Sequence, residues 1–182
     1  MNVSLFYFFY NLGQRFNIDW LISFFSSYIL YILVVLFIFL IFKEKDLRKR
    51  IYIINITILS EILSRGIITQ VIRFFYNRPR PFETLSIDSL ISHPAGGAFP
   101  SGHTVFLFAL VFVVFLLNKK WGWTFGVLSL VSVIGRVMAG VHWPVDILGG
   151  IIVAFVGFYI VYKFVLPDKK YLQVEEEIKI NS

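Results

Sequence analysis

The chain has 182 residues and no cysteine, so it is long enough for one domain and hardly for two, and disulfides and thiolate metal sites are excluded. Hydrophobic residues make up 58% of the sequence, and the mean hydropathy is +0.78. Such a chain is too apolar for a soluble globule, whose polar residues have to face water. The net charge of +6 suggests a nucleic-acid partner until the charges are located. Since the basic residues separate the apolar segments, no nucleic-acid partner is expected.

Uninterrupted apolar runs predict an all-α, polytopic transmembrane helix bundle. The first run, residues 20–42, holds no charged residue over 23 positions. As a helix it would reach roughly 34 Å, enough to cross a bilayer core. It has neither a basic leader nor a small-residue cleavage site, so a signal peptide is not expected. Further apolar segments at about residues 51–75, 101–117, 121–140 and 143–166 bring the total to about five spans.

The two ends of the chain differ from these spans. Residues 1–13 are aromatic but short, which predicts a helix that lies in the membrane interface. The sequence after Pro167 is polar. We therefore predict a single membrane-embedded domain over residues 1–168 and a polar cytoplasmic tail over residues 169–182.

Basic residues outside the apolar runs orient the spans. With five spans, three basic clusters fall on one side, which the positive-inside rule assigns to the cytoplasm. The opposite, exterior side receives residues 73–100 and the turn at 140–143. Tryptophans at the predicted span ends, typical of membrane interfaces, agree with this topology; they are Trp20, Trp121, Trp123 and Trp143. The basic clusters are Lys43, Lys45, Arg48, Lys49 and Arg50, then Lys119 and Lys120, then Lys163, Lys169 and Lys170.

Three short segments on the predicted exterior side carry arginine, histidine and aspartate. Charges near a bilayer are costly and are kept when they have a role, so the convergence of these segments indicates a functional site. The segments contain Arg73 and Arg80, then Pro100-Ser101-Gly102-His103, then Arg136, His142 and Asp146.

These residue types suit phosphoryl transfer, because guanidinium groups offer forked donors that match phosphate oxygens. Ser101 occupies a helix N-cap position, and the backbone N–H groups after it point at the same space. Pro144 fits the first position of the last span. Asp146 in its first turn can then accept a hydrogen bond from one ring nitrogen of His142, leaving the other free to attack phosphorus. His103 would donate a proton to the departing lipid oxygen.

The order and spacing of the segments resemble the type 2 phosphatidic acid phosphatase superfamily over about residues 20–165. The motifs of that family are Lys-x6-Arg-Pro, Pro-Ser-Gly-His and Ser-Arg-x5-His-x3-Asp. They appear here as Arg73-x6-Arg80-Pro81, Pro100-Ser101-Gly102-His103 and Gly135-Arg136-x5-His142-x3-Asp146.

The resemblance implies hydrolysis of a membrane lipid phosphate without metal or cofactor, through a phosphohistidine at His142 with His103 as the acid. Arg73 replaces the family's lysine, which keeps the charge but changes the donor geometry. Gly135 replaces its serine, which is expected to remove one hydroxyl contact. The residues implied to bind phosphate are Arg73, Arg80, Ser101, Gly102 and Arg136.

The short chain, the single outward loop and the Arg-Pro-Arg-Pro-Phe run at 78–82 look like bacterial undecaprenyl diphosphate phosphatases of the bacitracin-resistance type. Phosphatidylglycerophosphate, phosphatidate and lipid A phosphatases share the motifs and stay as alternatives. A small anion transporter is an alternative of another class. It would explain the arginines, but not two histidines and an aspartate at nucleophile spacing. The oligomeric state is left open by the sequence.

A divalent metal held by His103, His142 and Asp146 is a second interpretation of the site. Several arginines in the same pocket would repel a cation, which disfavours this interpretation. No metal ligand is therefore predicted.

Some polar residues outside the motifs keep two interpretations. His93 belongs either to loop structure or to the substrate site. Arg78 either touches a second phosphate of a diphosphate or faces lipid headgroups. Glu83 and Asp88 are expected to be solvated loop charges.

Glu61 and Arg65 stand four residues apart within the second span. This spacing predicts an intramembrane ion pair with a structural role. A part in lining the lipid pocket is the alternative.

Overall fold

The computed structural model describes residues 2–16 and 18–166, and every regular element in those residues is helical. The polar tail predicted for residues 169–182 lies outside the described residues. Seven helices follow one another in the described part: α1 Asn2–Phe16, α2 Asp19–Lys43, α3 Leu47–Phe75, α4 Pro81–Leu85, α5 Gly102–Leu117, α6 Lys119–Met138 and α7 Pro144–Val165.

The polytopic helix bundle predicted from the sequence is confirmed. Among the described residues, α2, α3, α6 and α7 are each long and apolar enough to cross a membrane. Helix α5 has 16 residues, which corresponds to about 24 Å. It packs against α3, α6 and α7 and buries residues on several of its faces. Since its neighbours cover most of it, a short central helix leaves little backbone exposed to lipid.

Side-chain caps begin the helices where the sequence changes from polar to apolar. The side chain of Asp46 accepts hydrogen bonds from two backbone N–H groups at the start of α3, and Asn118 does the same for α6. Ser101 caps α5 by accepting from the N–H of Thr104, as its sequence position predicts. Pro144 occupies the first turn of α7, also as predicted.

The first two basic clusters share one end of the bundle. A cavity there is lined by Lys43, the last residue of α2, by Lys45 just after it, and by Asn118, which precedes Lys119 at the start of α6. At the same end the hydroxyl of Tyr52 near the start of α3 donates to the carbonyl of Leu166 after α7, at 3.1 Å. The opposite end gathers the start of α2, the end of α3, the start of α5 and the junction of α6 with α7. That end holds the candidate site.

Helix α1 packs across the site end of the bundle, against α6 and α7. Phe6 is fully buried, and its ring centroid lies 5.2 Å from that of Trp143. Trp143 is only 5% exposed, and its Nε1 donates to the carbonyl of Pro79 at 3.0 Å. The interfacial role predicted for Trp143 is therefore wrong, because α1 covers it and its indole N–H is used inside the protein. Trp20 and Trp123 are strongly exposed, as expected of interfacial residues.

Candidate active site

Backbone contacts join the three motif segments at the site end. Nη2 of Arg73 donates to the carbonyl of Pro100 at 2.8 Å, which links α3 to the start of α5. The N–H of Ser101 donates to the carbonyl of Asp146 at 3.1 Å, which links α5 to the first turn of α7. Gly150 allows this approach, since a Cβ there would lie 2.7 Å from Cβ of Thr104. The convergence predicted from topology is thus present.

A cavity of about 220 Å³ lies where the segments meet. Three arginines and three histidines contribute to its wall, so the space is rich in hydrogen-bond donors and suited to an anion. A neighbouring cavity of about 350 Å³ shares Leu30, His93, His103 and Arg136 with it. The residues lining the first cavity are Leu30, Arg65, Thr69, Gln70, Arg73, His93, Gly102, His103, Arg136 and His142.

His142 presents one ring nitrogen as a lone-pair acceptor. Its Nε2 lies 3.2 Å from Nη1 of Arg80. A guanidinium can only donate, so Nε2 carries the lone pair and the proton of the neutral ring lies on Nδ1. Burial and the charges of Arg136 and Arg80 hold the pKa of His142 well below its usual value. The ring is therefore neutral near pH 7, as a nitrogen nucleophile has to be.

Asp146 lies behind His142 and is surrounded by donors. Its Oδ2 accepts the N–H of Trp143 at 2.8 Å and lies 3.5 Å from Nδ1 of His142. The second distance is long for a hydrogen bond. It still places the carboxylate where it favours the proton on Nδ1, and such contacts often tighten when substrate binds.

Arg78 pairs with the same carboxylate. Its Nη1 donates to Oδ1 of Asp146 at 2.9 Å, and its guanidinium lies 5.4 Å from the ring centroid of Trp143. Its guanidinium thus has a protein partner, Asp146, that neither sequence interpretation named. The spacing within one segment could not reveal this pair, because the partners are 68 residues apart.

His103 has a hydroxyl partner that the sequence analysis missed. Its Nε2 lies 3.2 Å from Oγ of Ser132 on α6. Ser132 precedes Arg136 by four residues, so both occupy the same face of α6. That spacing is the signal that could have identified it. The contact orients the imidazole of His103 in the cavity wall.

Two of the arginines predicted to bind phosphate line the cavity. Arg73 lies against Gly102, where a Cβ would come within 3.3 Å of Nη2 of Arg73. The absence of a side chain at residue 102 thus leaves room for the guanidinium beside the α5 N-terminus. Arg136 donates from Nη1 to the carbonyl of Ser26 on α2 at 3.2 Å. Each guanidinium is held in place by a backbone oxygen and keeps further N–H groups free for an anion.

Arg80 and Ser101 lie behind the wall of the cavity. Arg80 is 2% exposed, and its Nε donates to the carbonyls of Pro94 and Gly96 while Nη1 donates to that of Val141. Burial and the charge of Arg73 lower the pKa of Arg80 to about 10, so it stays protonated at neutral pH. The Ser101 hydroxyl is fully buried as the α5 cap. In this state both residues organise the site, and a phosphate role for them stays a prediction.

Glu83 holds the loop in front of the site. Its Oε2 accepts the N–H of Arg80 at 2.7 Å and the N–H of Gly96 at 2.9 Å. These two hydrogen bonds lower the pKa of Glu83. Glu83 is an exposed loop charge, as predicted, and its carboxylate also ties residue 96 to the start of α4.

His93 belongs to the cavity wall and not only to loop structure. Its ring centroid lies 5.8 Å from that of His142, and its Nδ1 is 3.3 Å from the carbonyl of Pro94. Burial and the neighbouring charges of Arg80 and Arg136 lower the pKa of His93 to about 4. A neutral imidazole therefore faces the site at physiological pH.

The predicted ion pair of Glu61 with Arg65 does not form. Both carboxylate oxygens of Glu61 are buried without a hydrogen-bond partner, and no ion pair with Arg65 occurs in the described residues. Residues Ile62–Ile68 form a π-helical turn, which departs from the α-helical geometry on which the prediction was based. Arg65 instead lines the cavity, and its guanidinium lies 5.5 Å from the ring centroid of Phe106. The alternative interpretation, a pocket-lining Arg65, is the correct one.

Gly135 faces α2 and not the cavity. A Cβ at this position would lie 3.4 Å from Cβ of Ser26 and 3.6 Å from the carbonyl of Ile22. The replacement of the family's serine therefore allows α6 to pack closely on α2. A serine side chain at this position would point toward α2 and away from the cavity. The replacement is therefore not expected to remove a hydroxyl contact with phosphate.

In residues 2–16 and 18–166, no group of three or more histidine, cysteine, aspartate or glutamate side chains is arranged to hold a metal ion. The carboxylate nearest the cavity, that of Asp146, is already engaged by Arg78 and by the N–H of Trp143. The site thus has cationic donors where a metal site would have anionic ligands.

Comparison with known proteins identifies the family. The PAP2 superfamily profile matches residues 50–170. The chain is 30% identical over 167 residues to the undecaprenyl-diphosphatase BcrC of Bacillus subtilis, covering 90% of this chain and 84% of the relative. It is 30% identical over 154 residues to the bacitracin transport permease protein BcrC of Bacillus licheniformis, covering 82% and 73%. The crystal structure of Aquifex aeolicus LpxE superposes with a TM-score of 0.73 at 25% identity, covering 90% of this chain and 95% of that one.

The chain belongs to the PAP2 superfamily. It is a multi-pass membrane protein and a lipid phosphatase. The resemblance of its three motifs to that family is thereby confirmed.

Proposed function

We propose that the chain hydrolyses undecaprenyl diphosphate to undecaprenyl phosphate and inorganic phosphate. The observation that carries this proposal is the donor-rich cavity whose wall brings together Arg73, Arg136, Gly102 at the start of α5 and His142. The relative that is 30% identical over most of both chains is an undecaprenyl-diphosphatase, which supports undecaprenyl diphosphate as the substrate. The domain that carries this activity is residues 1–168.

In the proposed reaction, Nε2 of His142 attacks the terminal phosphorus. The bond from that phosphorus to the bridging oxygen breaks, its electron pair stays on the oxygen, and His103 donates the proton that the leaving group needs. Arg73, Arg136 and the N–H groups that begin at Gly102 neutralise the charge on the transferring phosphoryl group.

In the second half of the reaction, water attacks the phosphohistidine. His103, now unprotonated, accepts a proton from that water, and the phosphorus–nitrogen bond to His142 breaks to release phosphate. In the free site Nη1 of Arg80 donates to Nε2 of His142, so this hydrogen bond has to break when Nε2 attacks phosphorus.

A substrate panel tests the proposed function. Purified protein in detergent is given undecaprenyl diphosphate, phosphatidylglycerophosphate or phosphatidate, and released phosphate is measured. We expect the highest kcat/KM with undecaprenyl diphosphate. A higher value with either monophosphate would reject that substrate assignment while leaving the lipid phosphatase class intact.

We expect activity to survive removal of divalent ions. Arginines already supply the positive charge that a metal would otherwise provide, and the cavity wall offers no set of anionic ligands. Phosphate release is measured before and after incubation with EDTA. Loss of activity that added divalent ions restore would contradict the assignment.

We further propose that the site opens on the exterior face of the cell membrane. The basic clusters at the other end of the bundle support this orientation through the positive-inside rule. Because the chain has no cysteine, single cysteines can report topology. Ser86→Cys replaces an exposed residue beside the site with a side chain of nearly the same shape. Its control is Lys119→Cys, at an exposed position on the other end.

The Ser86→Cys thiol is expected to react with a membrane-impermeant reagent in whole cells, and that of Lys119→Cys only after the membrane is opened. The converse labelling pattern would reverse the orientation.

A further inference from the structure

Arg65 is a cavity-lining arginine that the proposed reaction leaves unused. It lies in the membrane-spanning helix α3, two turns deeper than Arg73, on an exposed face of the π-helical turn. Its neighbours Ile62 and Ile67 are 52% and 51% exposed and face the same apolar surroundings. A guanidinium in such a position is costly unless it has a charged or hydrated partner. Its retention indicates a function.

The donors of Arg65 are available for a ligand. Within residues 2–16 and 18–166 it makes no ion pair and no hydrogen bond, and it interacts with Glu61 only through charge beyond ion-pair distance. Its one recorded contact is the face of Phe106. An aromatic face holds a guanidinium in position but leaves all five N–H donors free.

The depth of Arg65 relates it to the leaving group. Phe106 follows His103 by three residues on α5, about 4.5 Å along the helix axis toward the membrane interior. Arg65 therefore lies about one turn deeper than the acid that meets the leaving oxygen. Because Arg65 lines the same cavity as His103 and lies deeper in the membrane, it is placed on the side where the lipid part of a substrate would continue. In a lipid diphosphate that group is a second phosphate, whereas in a lipid monophosphate it is an uncharged carbon chain.

We propose that Arg65 binds the phosphate that stays on the lipid and thereby selects lipid diphosphates over lipid monophosphates. The inference rests on the proposed function, since it uses the same reaction centre at His142. When the bridging bond breaks, the bridging oxygen becomes part of the lipid phosphate, whose negative charge increases by one unless His103 protonates it. Arg65 stabilises that charge, and so assists both binding and the departure of the product.

A matched pair of substrates isolates the second phosphate. Farnesyl diphosphate and farnesyl monophosphate carry the same chain and differ only in the group that Arg65 would bind. Arg65→Gln is expected to lower kcat/KM for the diphosphate by about 10- to 100-fold, the effect of a lost charge-assisted hydrogen bond. The monophosphate should be hydrolysed within about twofold of the wild-type rate, which also shows that the variant folds. Arg65→Lys keeps the charge and should restore part of the diphosphate activity.

Arg73→Gln is the control. Arg73 is proposed to bind the transferring phosphate, so its loss should lower kcat/KM for both substrates. If Arg65→Gln lowers kcat/KM equally for both substrates, Arg65 contributes its positive charge to the whole site and does not select the diphosphate. That result would overturn the inference. Unchanged turnover of both farnesyl substrates would show that Arg65 faces lipid and binds no substrate phosphate. That result would also overturn the inference.

A competition assay separates this inference from the proposed function. Methylenediphosphonate, a non-hydrolysable diphosphate, is titrated against monophosphate turnover, with inorganic phosphate in parallel. Arg65→Gln should raise the inhibition constant of methylenediphosphonate at least about tenfold and leave that of phosphate unchanged. This readout holds even if the wild-type enzyme proves to hydrolyse only monophosphates, which would refute the proposed substrate alone. Equal constants for wild type and variant would refute the Arg65 site alone.

Discussion

Replacing His142 with alanine is expected to abolish phosphate release from lipid phosphates and from an activated aryl phosphate alike. A nucleophile is required whatever the leaving group, because the first bond to phosphorus cannot form without it. The unprotonated Nε2, which accepts from Arg80, and the place of the ring in the cavity wall are the reasons to assign this role to His142. We expect kcat to fall by about 10⁴-fold or more on both substrates. Thermal unfolding of the purified variant controls for misfolding.

Replacing His103 with alanine is expected to lower turnover of a lipid monophosphate far more than turnover of an activated aryl phosphate. A general acid contributes about 10²- to 10⁴-fold when the leaving group is a poor one, such as an alkoxide of a lipid monophosphate. An aryl oxide needs little protonation, so a measurable aryl phosphatase reaction should remain. Because His103 also activates the water of the second step, phosphate should accumulate on His142, and a phosphorus NMR signal typical of phosphohistidine should appear.

Two outcomes would contradict this division of labour. A His103→Ala enzyme that is inactive on both substrates, beside a His142→Ala enzyme that keeps aryl phosphatase activity, would reverse the two roles. Full activity of both variants would place the reaction elsewhere. Ser132→Ala offers a milder companion to His103→Ala, since it removes the hydroxyl that orients the imidazole and leaves the imidazole itself.

The sequence predicted the helices and the convergence of the motifs because both depend on short-range patterns. Apolar runs define spans, and N-cap and proline positions define where α5 and α7 begin. His142 and Asp146 are separated by four residues, so their proximity follows from the start of α7 alone. Arg73 and Arg136 reach the cavity because each lies near the site end of its own span.

The remaining features depend on how loops return to the bundle, which residue spacing does not encode. The sequence left two interpretations of Arg78 open, because no local pattern pairs it with the carboxylate of Asp146, 68 residues later. Glu83 reaches the N–H of Gly96 for a similar reason. The pair of Glu61 with Arg65 was predicted by α-helical spacing and fails because this part of α3 is π-helical. Such turns often occur at functional sites, in agreement with the position of Arg65 in the cavity wall.

The second large effect is expected from Asp146, which touches no phosphate. Each of its oxygens faces donors: Arg78 at Oδ1, and the N–H of Trp143 with the Nδ1 proton of His142 at Oδ2. Asparagine offers one acceptor oxygen in place of two, so its NH₂ group would face a donor in either orientation. Asp146→Asn is therefore expected to disturb the tautomer of His142 and to lower kcat by about 10³- to 10⁴-fold, as loss of the orienting carboxylate does in hydrolytic triads.

Arg78→Gln is a milder substitution at the same ion pair, because it changes the partner of Asp146 and leaves the carboxylate in place. Glutamine can still donate one neutral hydrogen bond to Oδ1, but the charge that balances the buried carboxylate is lost, so a smaller fall in kcat of about 10- to 100-fold is expected. If both residues act only by orienting His142, kcat falls for lipid diphosphate and monophosphate alike while KM stays near the wild-type value. Arg73→Gln and Arg136→Gln provide the contrast, because loss of a guanidinium in the cavity wall should raise KM. An Arg78→Gln enzyme with unchanged kcat and a KM raised only for the diphosphate would instead assign Arg78 to the second phosphate, and would remove its role behind His142.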